Sequence, residues 1–170
     1  MKIYLYLKLQ HHMLSTNLNE EEFMILYRGV NDPIEDGLYD NPYIKTPRKP
    51  RNTNELTHSI ADEWFEIKFG IKARSRTIFC STDNEQAVIH GHPYLISFPE
   101  GVEFIFSEKI YDFTEIEAEL EKKDLENKDE VEKWLASKNY QKVGAVDEIP
   151  INFSGEIMAH CKKYLLQKIK

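Results

Sequence analysis

The chain has 170 residues, 41% of them hydrophobic and 30% charged, with a formal net charge of −7. These proportions suit one globular domain spanning residues 1–170, able to bury about two thirds of its unfolded surface. Seven glycines and seven prolines exclude a fibrous or low-complexity chain, and 12% aromatic residues argue against general disorder. Lys, Glu, His or Asn interrupts every apolar stretch, so nothing approaches the roughly 18 to 20 residues of a membrane-spanning helix. The expectation is cytoplasmic localisation with no membrane partner.

Residues 1–22 read as an N-terminal strand or arm: Met1 to Leu9 alternates bulky apolar residues around Lys8 and carries no small-residue cleavage site. The apolar run 23–30, closed by Gly29, reads as the first central strand. Four prolines make residues 31–52 a long loop that ends in a basic turn, and loops of that length are usually functional. Thr53 or Asn54 then caps a helix in which Leu56, Ile60, Trp64 and Ile67 recur at helical spacing before Gly70 stops it. Residues 77–82 form a second buried strand that feeds directly into Asp83 as an N-cap and a short helix ending at Gly91. Residues 94–98 and 102–106 flank Pro99-Glu100-Gly101, which predicts a hairpin. Residues 112–139 form an acidic helical insertion broken near Asn127, residues 140–152 read as mixed loop, and residues 156–166 as a late strand.

The charge is unevenly placed. Residues 112–132 hold ten acids against three lysines, which accounts for the whole net charge, whereas residues 45–76 hold eight bases against four acids. The acidic run reads first as a solvated helix face. Cys80 and Cys161 each sit in an apolar run and read as buried thiols, not as a disulfide or zinc framework. His90 and His92 make a local fork without matching ligands elsewhere, so no metal is expected.

Three strand-end positions carry the chemistry. Arg28 closes the first central strand in Tyr27-Arg28-Gly29, the hydroxyls of Ser81 and Thr82 end the second, and Glu156 opens a late one in Gly155-Glu156-Ile157-Met158. Singly, Arg28 also reads as a salt-bridged strand end, Ser81 as a helix-entry residue and Glu156 as an edge carboxylate. Their joint order over residues 23–166 resembles the NAD-dependent mono-ADP-ribosyltransferases of the cholera-toxin-like arginine, serine, glutamate class. That resemblance implies an α+β fold of two packed, mainly antiparallel β-sheets around an NAD cleft with flanking helices. It also implies NAD as the substrate. Cleaving nicotinamide from ribose builds positive charge at the anomeric carbon, which a carboxylate stabilises, so Glu156 would be catalytic and Ser81 would support it. Arg28 would hold a phosphate or ribose of NAD, Gly29 would let the nicotinamide amide approach the backbone, Thr82 would lie beside them and Tyr94 would cover the ring.

Families of that class that modify arginine carry a second Glu two positions before the catalytic one, and others place Gln there; this chain has Ser154. The expected acceptor is a macromolecule, an RNA base before a protein, with the basic stretches 45–51 and 72–76 able to meet phosphates. The resemblance implies a toxin or phage-conflict effector of the kind found in toxin-antitoxin and antiviral defence systems, with the acidic helices available to a neutralising protein partner. The alternative from another class is a catalytically silent binding module or adaptor of the same fold.

Overall fold

Among the described residues no strand exceeds six residues, and strands that short are held only by neighbours on their edges. The computed structural model describes residues 24–99 and 101–169. The N-terminal strand or arm expected over residues 1–22 lies outside them. Eight strands, β1 (Tyr27–Val30), β2 (Gly37–Asp40), β3 (Ile78–Ser81), β4 (His92–Ser97), β5 (Glu103–Phe106), β6 (Gln141–Val143), β7 (Glu156–His160) and β8 (Lys163–Lys168), join in the spatial order β2-β8-β4-β1-β3-β7-β5-β6. Every pairing is antiparallel.

The expected pair of packed sheets is therefore corrected to one hydrogen-bonded sheet in a mixed α/β domain. Its two four-strand halves meet at a single residue pair, Tyr27 opposite Ser81. One apolar core serves both halves, with Leu26, Ile96 and Leu166 from one and Ile78, Phe106 and Ile157 from the other. A second core lies around Ile105 and Met158 and is closed by helices.

Those helices are α1 (Glu55–Phe69), α2 (Ala73–Arg76), α3 (Asn84–Ile89), α4 (Glu115–Glu119) and α5 (Lys128–Ser137). Asn54 caps α1 by accepting from the Leu56 amide at 2.7 Å, and Gly70 ends it with a left-handed φ of 75°, as the sequence predicts. The buried face is rotated from the expected stripe, however: Ile60, Ala61 and Phe65 are buried, whereas Ile67 is 83% exposed. The acidic segment breaks at Asn127, whose side chain caps α5. Its Phe113, Ile116, Val131, Trp134 and Leu135 fill the second core, so the segment covers the sheet as well as carrying charge.

The expected hairpin over residues 94–106 does not form. β4 pairs with β1 and β8, while β5 pairs with β6 and β7, so successive strands β4 and β5 belong to different half-sheets. The late apolar segment likewise splits at Cys161-Lys162, giving β7 to one half and β8 to the other. No helix among the described residues is long and apolar enough to cross a membrane.

Candidate functional site

The strand register assembles the site. β3 and β7 pair so that Ser81 lies directly opposite Glu156, and on its other side Ser81 meets Tyr27 of β1, the residue before Arg28. Arg28, Gly29, Ser81 and Glu156 all line one cavity of about 550 Å³, a size typical of small-molecule sites. Four of the six residues expected from sequence thus converge.

Two glycines set the approach of neighbouring segments. A Cβ on Gly29 would stand 2.1 Å from the Ala87 carbonyl oxygen, so Gly29 is required because α3 packs against β1. Its missing side chain admits α3, while Gly29 itself still lines the cavity. Gly155 has φ 144° and lies against the Tyr111 backbone, whose carbonyl accepts from the Glu156 amide at 2.8 Å. That glycine, at a φ that residues with side chains rarely adopt, fixes where Glu156 enters β7.

Ser81 is buried, and its Oγ accepts from the Asp83 amide at 3.0 Å, forming the turn into α3. No hydrogen bond joins it to Glu156 among the described residues. Asp83 caps α3 through the Glu85 amide and receives the Tyr111 hydroxyl, which ties the loop after β5 to the helix start. Thr82 faces away from the cavity; its backbone and Oγ1 bond Gly155, so it steadies the segment that presents Glu156. Tyr94 is also displaced from its expected place. It is buried in the shared core, and its hydroxyl exchanges hydrogen bonds with the Ile34 backbone at 2.8 and 2.9 Å. The aromatic side chains on the cavity wall are Tyr27, Tyr43 and Phe79.

The partner of Glu156 is Arg74 of α2, which donates through Nη1 to Oε1 at 2.5 Å. Both side chains are nearly enclosed, 8% and 14% exposed. Arg74 is held in turn between the rings of Phe79 and Phe113 at 4.3 and 4.2 Å, and Asp62 of α1 receives its backbone amide. Burial pushes the Glu156 carboxyl above the usual range, and Arg74 opposes that shift without cancelling it. Sequence reasoning missed Arg74 because it stands in the basic stretch 72–76, with nothing local to mark it as inward-facing.

The long loop after β2 supplies the opposite wall, including Tyr43 and residues 46–53. Its Arg48 was expected on an outer basic turn but folds inward between the rings of Tyr43 and Phe79, at 4.1 and 3.7 Å, and donates to the Thr77 carbonyl at 2.8 Å. Arg76 is likewise spent on the Tyr43 and Ile44 carbonyls. Only Lys45, Lys49, Arg51 and Lys72 of the two basic stretches are exposed. His58 of α1 also reaches the cavity; burial lowers its pKa, with the nearby Asp62 carboxylate opposing.

Several polar atoms on this wall lack partners. The Nε atoms of Arg28, Arg48 and Arg74 and the Gln86 Oε1 are buried without hydrogen bonds among the described residues, an arrangement that carries a cost unless a ligand or water reaches the groups around them. Guanidinium donors together with a carboxylate and an amide suit a ligand bearing both phosphates and sugar hydroxyls. Among the described residues no three His, Cys, Asp or Glu side chains come close enough to hold a metal. His90 stands at the cavity rim, and His92 starts β4 on the surface. No protein family, curated protein or solved structure matches the chain.

Proposed function

We propose that the cavity binds NAD and that the protein is a mono-ADP-ribosyltransferase. The observation that supports this most is the register itself: the serine and glutamate of the resemblance are cross-strand partners, and its arginine lies on the next strand, all around one cavity. In the reaction, the bond from ribose C1′ to the nicotinamide nitrogen breaks with its electron pair going to nicotinamide. A lone pair on the acceptor forms the new bond to C1′, and the acceptor's proton leaves to solvent. Glu156 faces the developing positive charge at C1′ with the oxygen that Arg74 does not occupy. Arg74 orients the carboxylate by its single Nη1 contact, and Ser81 fixes the turn from which β3 and α3 diverge. Arg28, anchored by its Nη1 on the Phe79 carbonyl at 2.7 Å, takes a phosphate of the dinucleotide.

The acceptor in this reading is an RNA base. Ser154, exposed two residues before Glu156, offers no acid to activate a guanidinium, and Lys45, Lys49 and Arg51 are the exposed cations on or beside the loop at the cavity mouth. An unstacked base reaches such a recess more readily than one in a duplex, so single strands are the preferred substrate. A cytoplasmic effector of this kind calls for a neutralising protein partner. NAD labelled in its adenylate portion, incubated with the protein and cell lysate, tests the assignment. Label released by ribonuclease supports an RNA acceptor, and label released only by protease assigns a protein.

The silent-module alternative draws on one observation, the Arg74–Glu156 ion pair, because a paired carboxylate is already partly neutralised. A protein that binds NAD yet releases no nicotinamide would establish it.

A further inference from the structure

The cavity is lined by five cationic side chains, Arg28, Arg48, Lys49, Arg51 and Arg74, against the carboxylates of Asp112 and Glu156, in a chain whose net charge is −7. Positive charge has been gathered into a recess of an acidic protein. Two of these cations are rigidly placed. Arg28 donates to the Phe79 carbonyl at 2.7 Å, and Arg48 to the Thr77 carbonyl at 2.8 Å. Thr77 and Phe79 are two positions apart in extended chain, so their carbonyls lie on the same side, about 7 Å apart. Rings fix both guanidinium groups: Arg48 lies between Tyr43 and Phe79, and Arg28 lies over Tyr164 at 5.6 Å. The backbone of Arg48 is tied as well, its amide donating to the Ser75 carbonyl at 2.8 Å.

We propose that Arg48 and Arg28 form a two-point clamp for the diphosphate group of a nucleotide, with the loop carrying Arg48 as one jaw and β1 as the other. Two guanidinium groups anchored about 7 Å apart can flank a pair of adjacent phosphates, whereas a single phosphate engages one of them. Because the rings and carbonyls hold both side chains before the ligand arrives, little rotamer freedom remains to be lost on binding. Burial, and then the crowding of Arg28 and Arg74, pull the Arg48 pKa down to about 9, a charge cost that a diphosphate relieves. The Arg74 charge is already matched by Glu156, which leaves Arg28 and Arg48 free for the ligand.

This inference rests on the nucleotide reading of the cavity but not on its chemistry, and binding measurements separate the two. Calorimetric titration of the unaltered protein with pyrophosphate, ADP, AMP and adenosine is expected to show ADP and pyrophosphate binding, AMP at least about tenfold weaker than ADP, and adenosine weaker again. Arg48→Gln is expected to weaken ADP by about ten- to a hundredfold while changing adenosine little. Arg48→Lys, which retains a charge and a donor for Thr77 but loses the fork, is expected to fall between. Lys133→Gln, on the exterior beside Glu130, is the charge control and leaves ADP affinity unchanged. Equal affinity for ADP and AMP in the unaltered protein overturns the clamp even if the Arg48 variants do not fold, and so does ADP binding that ignores Arg48→Gln. A single-stranded oligoribonucleotide that binds through Arg48 while ADP does not also overturns it, by assigning the guanidinium to the acceptor. ADP bound through Arg48 with NAD left intact keeps the clamp and removes the transferase; NAD cleaved with ADP affinity indifferent to Arg48 does the reverse.

Discussion

Glu156→Gln keeps the side-chain volume and removes one negative charge from a carboxylate only 14% exposed. Burial holds the Glu156 pKa above its ordinary value of 4.5 despite Arg74. At neutral pH the ionised side chain therefore makes folding less favourable than a neutral one of the same shape. Arg74 keeps other partners after the substitution: the new amide oxygen, the Met158 sulfur and the rings of Phe79 and Phe113, the rings contributing up to about 2 kcal/mol in a desolvated setting. The variant should match its parent in stability or slightly exceed it, within about 1 kcal/mol, or about 2 to 4 °C in Tm. Because the folded-state pKa is raised, the stability contribution of Glu156 is complete below the unfolded pKa and is lost as pH rises through the folded one. Parent and variant should thus agree in acid, and the variant should gain on the parent as pH climbs above 4.5. Arg74→Met is the opposite case, since it leaves a buried carboxylate without its cation. Breaking a buried pair from that side costs about 3 to 5 kcal/mol, less whatever Glu156 recovers by protonating. Urea unfolding at pH 4 and pH 7.5 reads both effects, and NAD turnover of the folded Glu156→Gln protein should fall about a hundredfold or more. A loss of 3 kcal/mol or more in Glu156→Gln at neutral pH would refute this reasoning, making the pair a structural lock with no carboxylate poised for a ligand.

Gly29→Ala should destabilise the fold by about 3 kcal/mol, because the new Cβ meets the Ala87 carbonyl at 2.1 Å and α3 has to move; a thermal melt unchanged from the parent would show that the helix does not rest there. Arg28→Ala should raise the NAD dissociation constant by about ten- to a hundredfold, the equivalent of roughly 1.5 to 3 kcal/mol for a charge-assisted bond, and calorimetry that finds equal affinity removes Arg28 from the site. Cys80 and Cys161 are both buried, and burial pushes their thiols up, that of Cys161 to about 12. Neither should react with a thiol reagent at pH 8 until the protein is unfolded, and rapid labelling of the native state would contradict that placement.

Local signals in the sequence were read correctly where one residue decides the outcome. Asn54 and Asp83 cap helices, Gly70 ends one, and Asn127 separates two, because a side-chain oxygen or a missing Cβ acts within a few residues. Strand partnership is not local. Residues 94–98 and 102–106 look like a hairpin, yet β4 and β5 join different halves of the sheet, where the shared core and the edges of β7 and β8 outweigh a short turn. β2 was hidden in a loop of prolines and acids since it is only four residues long and pairs on one side alone, with β8. In the site, Arg28, Ser81 and Glu156 were visible because each ends or begins an apolar run. Tyr94 looked equivalent to a cavity aromatic, but its ring is buried in the shared core and its hydroxyl is taken by the Ile34 backbone. Arg48 and Arg74 fall in basic stretches expected to meet phosphates, and composition records how many arginines a stretch holds and not which rings they lie against.

The most direct test of the account is the release of nicotinamide from NAD by the purified full chain, measured beside Glu156→Gln with single-stranded RNA present and absent. The account predicts release by the parent, faster with RNA and accompanied by label on the RNA, and loss of both in a variant that unfolds at the parent's temperature. No binding or cleavage of NAD by a folded parent protein, or equal cleavage by the two, would contradict it.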